Sequence, residues 1–205
     1  MLEIKCFEFG PFGTNCYVVS DGGNVFLIDP ACSTPREQQL LQDHVDSLCS
    51  TGKVQLTIIA THGHLDHLWG AAWATAQWST PVRMHEADIP MVQDMPSQYR
   101  LFGIRATPQP FPIEPFDATF SNLHPQLSIL HTPGHTPGSV CLYWQEEKTL
   151  ISGDTLFRMG YGRTDLPGGN MSRLITSLES LFTLPSDVKV YPGHGDFTTI
   201  GAEKR

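Results

Sequence analysis

Basic residues are in short supply: 13 Lys and Arg stand against 21 Asp and Glu, for a formal net charge of −8 at pH 7. Phosphate binding depends on clustered Lys and Arg, and no such cluster occurs, so a broad nucleic-acid surface is excluded. Cysteine is sparse as well. Cys6, Cys16, Cys32, Cys49 and Cys141 are odd in number and contain no C-x-x-C pair, which excludes a disulfide framework and a thiolate zinc site. They read as buried thiols in a reducing compartment. A long apolar run is also missing. Met1 to Gly10 mix Glu3, Lys5 and Glu8 with apolar residues, which is neither a basic region leading into an apolar one nor a membrane span. The expected location is cytoplasmic, with no membrane partner. No repeat recurs at a fixed period, and the one charged tail, Glu203-Lys204-Arg205, reads as simple solvation.

What remains is a turn-rich globular composition: 205 residues, 40% hydrophobic and 17% charged, with 18 Gly and 16 Pro. That length fits one domain, 1–205, able to bury a shaped pocket. Short apolar runs bordered by Gly or Pro predict strands at Cys16 to Ser20, Val25 to Ile28, Leu56 to Ala60, Pro81 to Met84, Ser128 to Leu130, Val140 to Trp144, Leu150 to Ile151 and Val188 to Tyr191. Three stretches carry helical spacing instead. Pro35 to Cys49 aligns Leu41, Val45 and Leu48; Leu68 to Trp78 aligns Trp69, Trp73 and Ala76; Met171 to Leu181 aligns Met171, Leu174, Ile175, Leu178 and Leu181 behind the capping residue Asn170. The proline-rich stretch at about 95–125 breaks regular structure and predicts an insertion or lid.

The densest chemical signal is Thr61-His62-Gly63-His64-Leu65-Asp66-His67, four nitrogen or carboxylate ligands directly after an apolar strand. Imidazole and carboxylate without sulfur suit zinc, iron or manganese. Three further segments repeat one design, an apolar run closing in a Gly-rich turn with one ligand: Thr132-Pro133-Gly134-His135, Ser152-Gly153-Asp154 and Tyr191-Pro192-Gly193-His194. Such turns hold side chains at a sheet edge with little freedom. His44, His85, His124 and His131 lack a companion ligand at useful spacing and read as structural.

These residues, in this order, resemble the metallo-β-lactamase superfamily over nearly the whole length. Asn15-Cys16-Tyr17, Ile28-Asp29-Pro30, Gly153-Asp154-Thr155-Leu156-Phe157 and Tyr191-Pro192-Gly193-His194-Gly195 are similar to its glyoxalase II branch, hydroxyacylglutathione hydrolase, in the short bacterial type without the C-terminal helical region. The resemblance implies an α/β fold, an αββα sandwich of two mixed sheets flanked by helices. It also implies two divalent ions, zinc first with iron or manganese as alternatives. His62, His64 and His135 would hold one and Asp66, His67 and His194 the other, with Asp154 bridging. Asp66 and Asp154 are thereby the carboxylates tied to catalysis. Asp154 stands where one branch of zinc β-lactamases has cysteine, which disfavours a β-lactam.

Two ions sharing a water lower its pKa from about 15.7 towards neutrality, which makes a metal-bridging hydroxide the expected nucleophile. A thiolate of pKa about 8.5 leaves without a strong acid, whereas an amine does not, so small acyl thioesters are the expected substrates. S-D-lactoylglutathione or a related hydroxyacyl thioester is the implied case. Arg163 falls where the family binds glutathione through lysine, and its planar fork suits a substrate carboxylate or, alternatively, an ion pair with Asp165. Asp165 and Phe197 replace family tyrosines. Asp29 reads either as a carboxylate orienting a ligand imidazole or as a turn residue before Pro30. The run Gly162 to Gly169 is also similar to the persulfide dioxygenase branch, which uses a single iron without His64. Hydrolysis of another small ester or lactone, and a noncatalytic metal module, are the remaining alternatives.

Overall fold

The computed structural model describes residues 2–50 and 54–204, so Met1 and Arg205, which the sequence reading touched, lie outside the described residues. The chain forms two compact units, Met1–Met84 with Ile89–Glu114, and His85–Asp88 with Pro115–Arg205.

In the first unit, β1 (Glu3–Phe9), β2 (Thr14–Ser20), β3 (Asn24–Ile28), β4 (Gln55–Ile59), β5 (Val82–Met84) and β6 (Ile113–Pro115) make one sheet in chain order. Tight connections leave β1–β2–β3 antiparallel. Parallel pairing needs a longer crossover, and α1 (Pro35–Cys49) supplies it between β3 and β4. Its start has a physical cause. The Thr34 side chain accepts from the Glu37 N–H while the Glu37 carboxylate accepts from the Thr34 N–H, and Pro35 fixes the first turn. As the spacing requires, Leu41 and Val45 are buried.

The second helix departs from expectation. α2 (Ala71–Trp78) begins after Gly70, and it buries Ala71, Ala74 and Thr75 while Ala76 is exposed. Close backbone packing turns the helix this way: a Cβ at Gly70 would lie 2.3 Å from the Cys32 Sγ and 2.9 Å from the Pro30 carbonyl. α3 (Ile89–Gln93) and α4 (Met95–Leu101) complete the unit, followed by irregular chain over 104–112. The proline-rich stretch thus contains more regular structure than predicted, because Pro96 sits in the first turn of α4, where its missing N–H costs nothing.

In the second unit, α5 (Ala118–Leu123) precedes β7 (Leu127–His131), β8 (Val140–Trp144) and β9 (Thr149–Gly153). A small hairpin of β10 (Leu156–Phe157) and β11 (Gly160–Tyr161) follows, then α6 (Met171–Leu181), β12 (Lys189–Pro192), β13 (Thr198–Thr199) and α7 (Ile200–Glu203). The sheet order is β13-β12-β9-β8-β7, with β9 and β12 parallel and the other pairs antiparallel. β7, β9 and β12 therefore run in one direction and end at one edge. Asn170 caps α6 by accepting from the Arg173 N–H, and Leu174, Leu178 and Leu181 face the core. Met171 and Ile175, expected in that stripe, are 43% and 49% exposed. Every run read as a strand is one; β1, β6, β10, β11 and β13 were not foreseen.

Candidate metal centre

β3 and β4 are parallel neighbours, so their C-terminal ends lie together, and the Asp29 N–H donates to the Ile59 carbonyl across that end. Asp29 takes a left-handed backbone (φ 52), which a short polar side chain tolerates. Its buried carboxylate accepts from the Thr61 N–H at 2.7 Å, the Thr61 hydroxyl at 2.7 Å and the His67 Nδ1 at 2.9 Å. Of its two sequence readings, the orienting carboxylate is the one the structure contains. With its proton given to Asp29, the Thr61 hydroxyl accepts from the His62 Nδ1 at 3.0 Å. His62 and His67 thus carry protons on Nδ1 and present Nε2 lone pairs.

The same turn brings the other candidate ligands of this unit together. The His62 ring lies 4.1 Å from that of His67 and 4.9 Å from that of His64, centroid to centroid. Asp66 accepts from the Thr14 hydroxyl, and its Oδ2 is 3.6 Å from the His67 Nε2.

In the second unit, His135, Asp154 and His194 follow the co-directional ends of β7, β9 and β12. The Gly193 N–H donates to the Gly153 carbonyl at 2.8 Å, extending the parallel pairing to the residues just before His194 and Asp154. As a result, the Asp154 Oδ2 sits 3.5 Å from the His135 Nε2 and 3.6 Å from the His194 Nε2. The His135 Nδ1 is 2.7 Å from the Arg163 carbonyl, which only accepts, so His135 also presents Nε2. That carbonyl approaches because the preceding residue is glycine: a Cβ at Gly162 would lie 1.9 Å from the Asp154 carbonyl oxygen. Buried Asp88 holds the turn carrying His135, accepting from the Thr136 hydroxyl at 2.7 Å and the Gly138 N–H at 2.6 Å.

Within each unit the candidate ligands thus lie together, and the donor spacing fits a metal. Donors about 2.0–2.1 Å from a shared tetrahedral ion stand roughly 3.4 Å apart, against 3.5, 3.6 and 3.6 Å for the three carboxylate–imidazole pairs here. These nitrogen and oxygen donors suit zinc or iron, and no thiol competes. Burial pushes the Cys16 thiol well up, the Cys32 thiol to about 12 and the Cys141 thiol to about 11. Not every cysteine is buried as expected: Cys6 on β1 is exposed and Cys49 is half-buried.

Arg163 meets the structure in its alternative reading. Its Nε and a terminal nitrogen fork onto the Asp165 carboxylate at 2.7 and 2.6 Å, and both side chains are exposed. Those hydrogen bonds hold the Asp165 carboxyl down to about 2. The histidines set aside lie in other contacts: His44 edges onto Phe7, His124 packs on Phe120, and His85 stacks on His131 with centroids 4.0 Å apart. Among the described residues no helix is long and apolar enough to cross a membrane.

Two sheets with C-terminal strand ends carrying His and Asp ligands define a class, and the sequence pattern of the metallo-beta-lactamase superfamily matches residues 9–194. The chain belongs to that superfamily, has its fold, and is accordingly a metal-binding enzyme of the hydrolase kind. Among its relatives is the hydroxyacylglutathione hydrolase GloC of Haemophilus influenzae, 33% identical, with 100% of this chain and 96% of GloC covered. Among solved structures, TTHA1623 in a di-iron-bound form is 35% identical with a TM-score of 0.84, covering 98% of this chain and 97% of that one. The B3 metallo-beta-lactamase BLEG-1 is 31% identical with a TM-score of 0.80, covering 98% and 96%. Likeness of fold thus leaves thioester and β-lactam substrates unseparated.

Proposed function

We propose that the chain is a dinuclear hydrolase of small acyl thioesters, of the hydroxyacylglutathione kind. His62, His64 and His135 hold one ion, Asp66, His67 and His194 the other, and Asp154 is shared by both. The observation that carries this reading is the Asp154 Oδ2, placed 3.5 and 3.6 Å from two imidazole nitrogens, the spacing of ligands to a common ion rather than of a hydrogen bond. On this reading residues 1–205 act as one catalytic domain, in the cytoplasm.

When bound, two divalent ions supply a shared water of lowered pKa and polarise the acyl carbonyl. Zinc or iron fits the donors, and the di-iron form of TTHA1623 supports iron. The residues of the chain supply orientation. Asp29, Thr61 and the Arg163 carbonyl fix protons on Nδ1 of His67, His62 and His135, so that each ring presents Nε2 as its ligating atom. The carboxylates at these strand ends are ligands or are already engaged, Asp29 with Thr61 and His67, Asp165 with Arg163. A thiolate needs no proton to depart, which favours thioesters over amides. For Arg163 to clamp a substrate carboxylate, its exposed fork exchanges Asp165 for the ligand.

The test measures thiol release from S-D-lactoylglutathione beside a chromogenic β-lactam and a glutathione persulfide with oxygen consumption, on protein of known metal content. Two ions per chain, thioester hydrolysis abolished by chelator, and a loss of roughly 100-fold or more in Asp154→Ala are expected. One iron with oxygen uptake, a faster β-lactam, or full activity in Asp154→Ala would overturn the assignment.

A further inference from the structure

The structure assigns to Gln98, in the proline-rich segment, the task of holding the metal-binding turn in its ligating shape; the assignment rests on the metal-centre reading above. Gln98 lies on α4 and reaches the turn after β4 with both ends of its amide. Its Nε2 donates to the Gly63 carbonyl at 2.9 Å and the Met91 carbonyl at 3.2 Å, while its Oε1 accepts from the Leu65 N–H at 2.9 Å.

The positions of those contacts carry the argument. Gly63 separates His62 from His64, and Leu65 separates His64 from Asp66. One planar amide therefore grips both residues that stand between three ligands, one by donating and one by accepting. Asp29 and Thr61 restrain the ligand rings of the same turn. Only an amide of this length meets both demands. A carboxylate does not donate to the Gly63 carbonyl, and a thioether of similar volume serves neither group.

α4 is itself firmly placed. Met95 is buried at its start, the Ile104 N–H donates back to the Tyr99 carbonyl, and the Tyr99 ring lies 6.0 Å from Trp69, two residues after His67. The segment predicted as a lid thus braces the first ligand cluster. Gln98 bonds to main-chain groups beside the proposed ligands, so it is a positioning residue, and its contribution is to keep the backbone from relaxing out of the ligating geometry.

The experiment compares wild type, Gln98→Glu and Gln98→Met, each stripped of metal and titrated with zinc(II) against a chromophoric chelator. The metal-free thermal midpoint and the cobalt(II) absorption spectrum are recorded in parallel. Both variants are expected to bind roughly 10- to 100-fold more weakly, with an altered cobalt spectrum and a metal-free midpoint close to that of wild type. Unchanged affinity in Gln98→Glu overturns the assignment, as does a fall in affinity matched by a collapse of the metal-free midpoint in both variants. Wild-type chain that binds no zinc defeats the metal-centre reading itself, whereas tight binding by all three proteins defeats only the role of Gln98.

Discussion

An imidazole ligates through one nitrogen only if something else fixes the proton on the other. Three different acceptors do so here: a carboxylate at His67, a hydroxyl at His62 and a main-chain carbonyl at His135. Asp29 serves the first directly and the second through Thr61, so its replacement disturbs two ligands at once. Asp29→Asn keeps the left-handed backbone tolerable but leaves one acceptor oxygen where two now work. Metal affinity is expected to fall roughly 10- to 100-fold with little change in the metal-free fold, checked by chelator competition and circular dichroism. Gly162→Ala attacks the third restraint from behind, since its Cβ meets the Asp154 carbonyl at 1.9 Å and both strand ends must move. Loss of metal together with a lowered thermal midpoint is the expected result, and a variant with full metal content would show that Gly162 is not needed for close approach. The candidate ligands were legible in the sequence, because four of them crowd into six positions and the others each close a Gly-rich turn. Asp88, Gln98 and the Arg163 carbonyl were not. Each acts on main-chain groups brought near only by folding, and a single Gln or a backbone oxygen has no local pattern to mark it.

At the scale of elements, direction matters more than identity. β3 with β4, and β7 with β9 and β12, point their C-terminal ends the same way, so each sheet delivers its polar residues to one edge. Period and breakers announced the buried strands and α1. They missed β1, whose residues are mostly exposed and give no alternation, and the two-residue strands, which are shorter than any period. The α6 stripe was read too wide, since Met171 and Ile175 face outward while Ser177 is buried and donates to the Pro133 carbonyl. The cap of α1 gives a testable pH dependence. Burial raises the Glu37 pKa, but N–H groups of Ser33, Gly10 and Thr34 and the Ser33 hydroxyl outweigh it and hold the group below its usual 4.5. A depressed pKa stabilises the fold above the unfolded value and ceases to do so as pH falls through the folded one. Wild type is therefore expected to be more stable than Glu37→Gln at pH 7, with the difference shrinking below about 4.5. Urea titrations at pH 7 and pH 3.5 check it, and an equal difference at both would remove the carboxylate from the account.

For the molecule as a whole, the proposed ligand set ties metal binding to folding. Each compact unit has its own sheet and its own cluster of buried apolar residues. Ions held by the proposed ligands would bind the native arrangement and not the unfolded chain, and so would stabilise it by mass action. At free metal 100-fold above the dissociation constant this amounts to about 2.7 kcal/mol. Chelation is accordingly expected to shift the urea midpoint down. Asp154→Ala, which removes the shared carboxylate without touching either core cluster, should resemble chelated wild type and respond little to added metal. Identical unfolding curves with and without metal, in protein shown to hold two ions, would mean that the ions are not tied to the folded chain and that the ligand set is wrongly drawn.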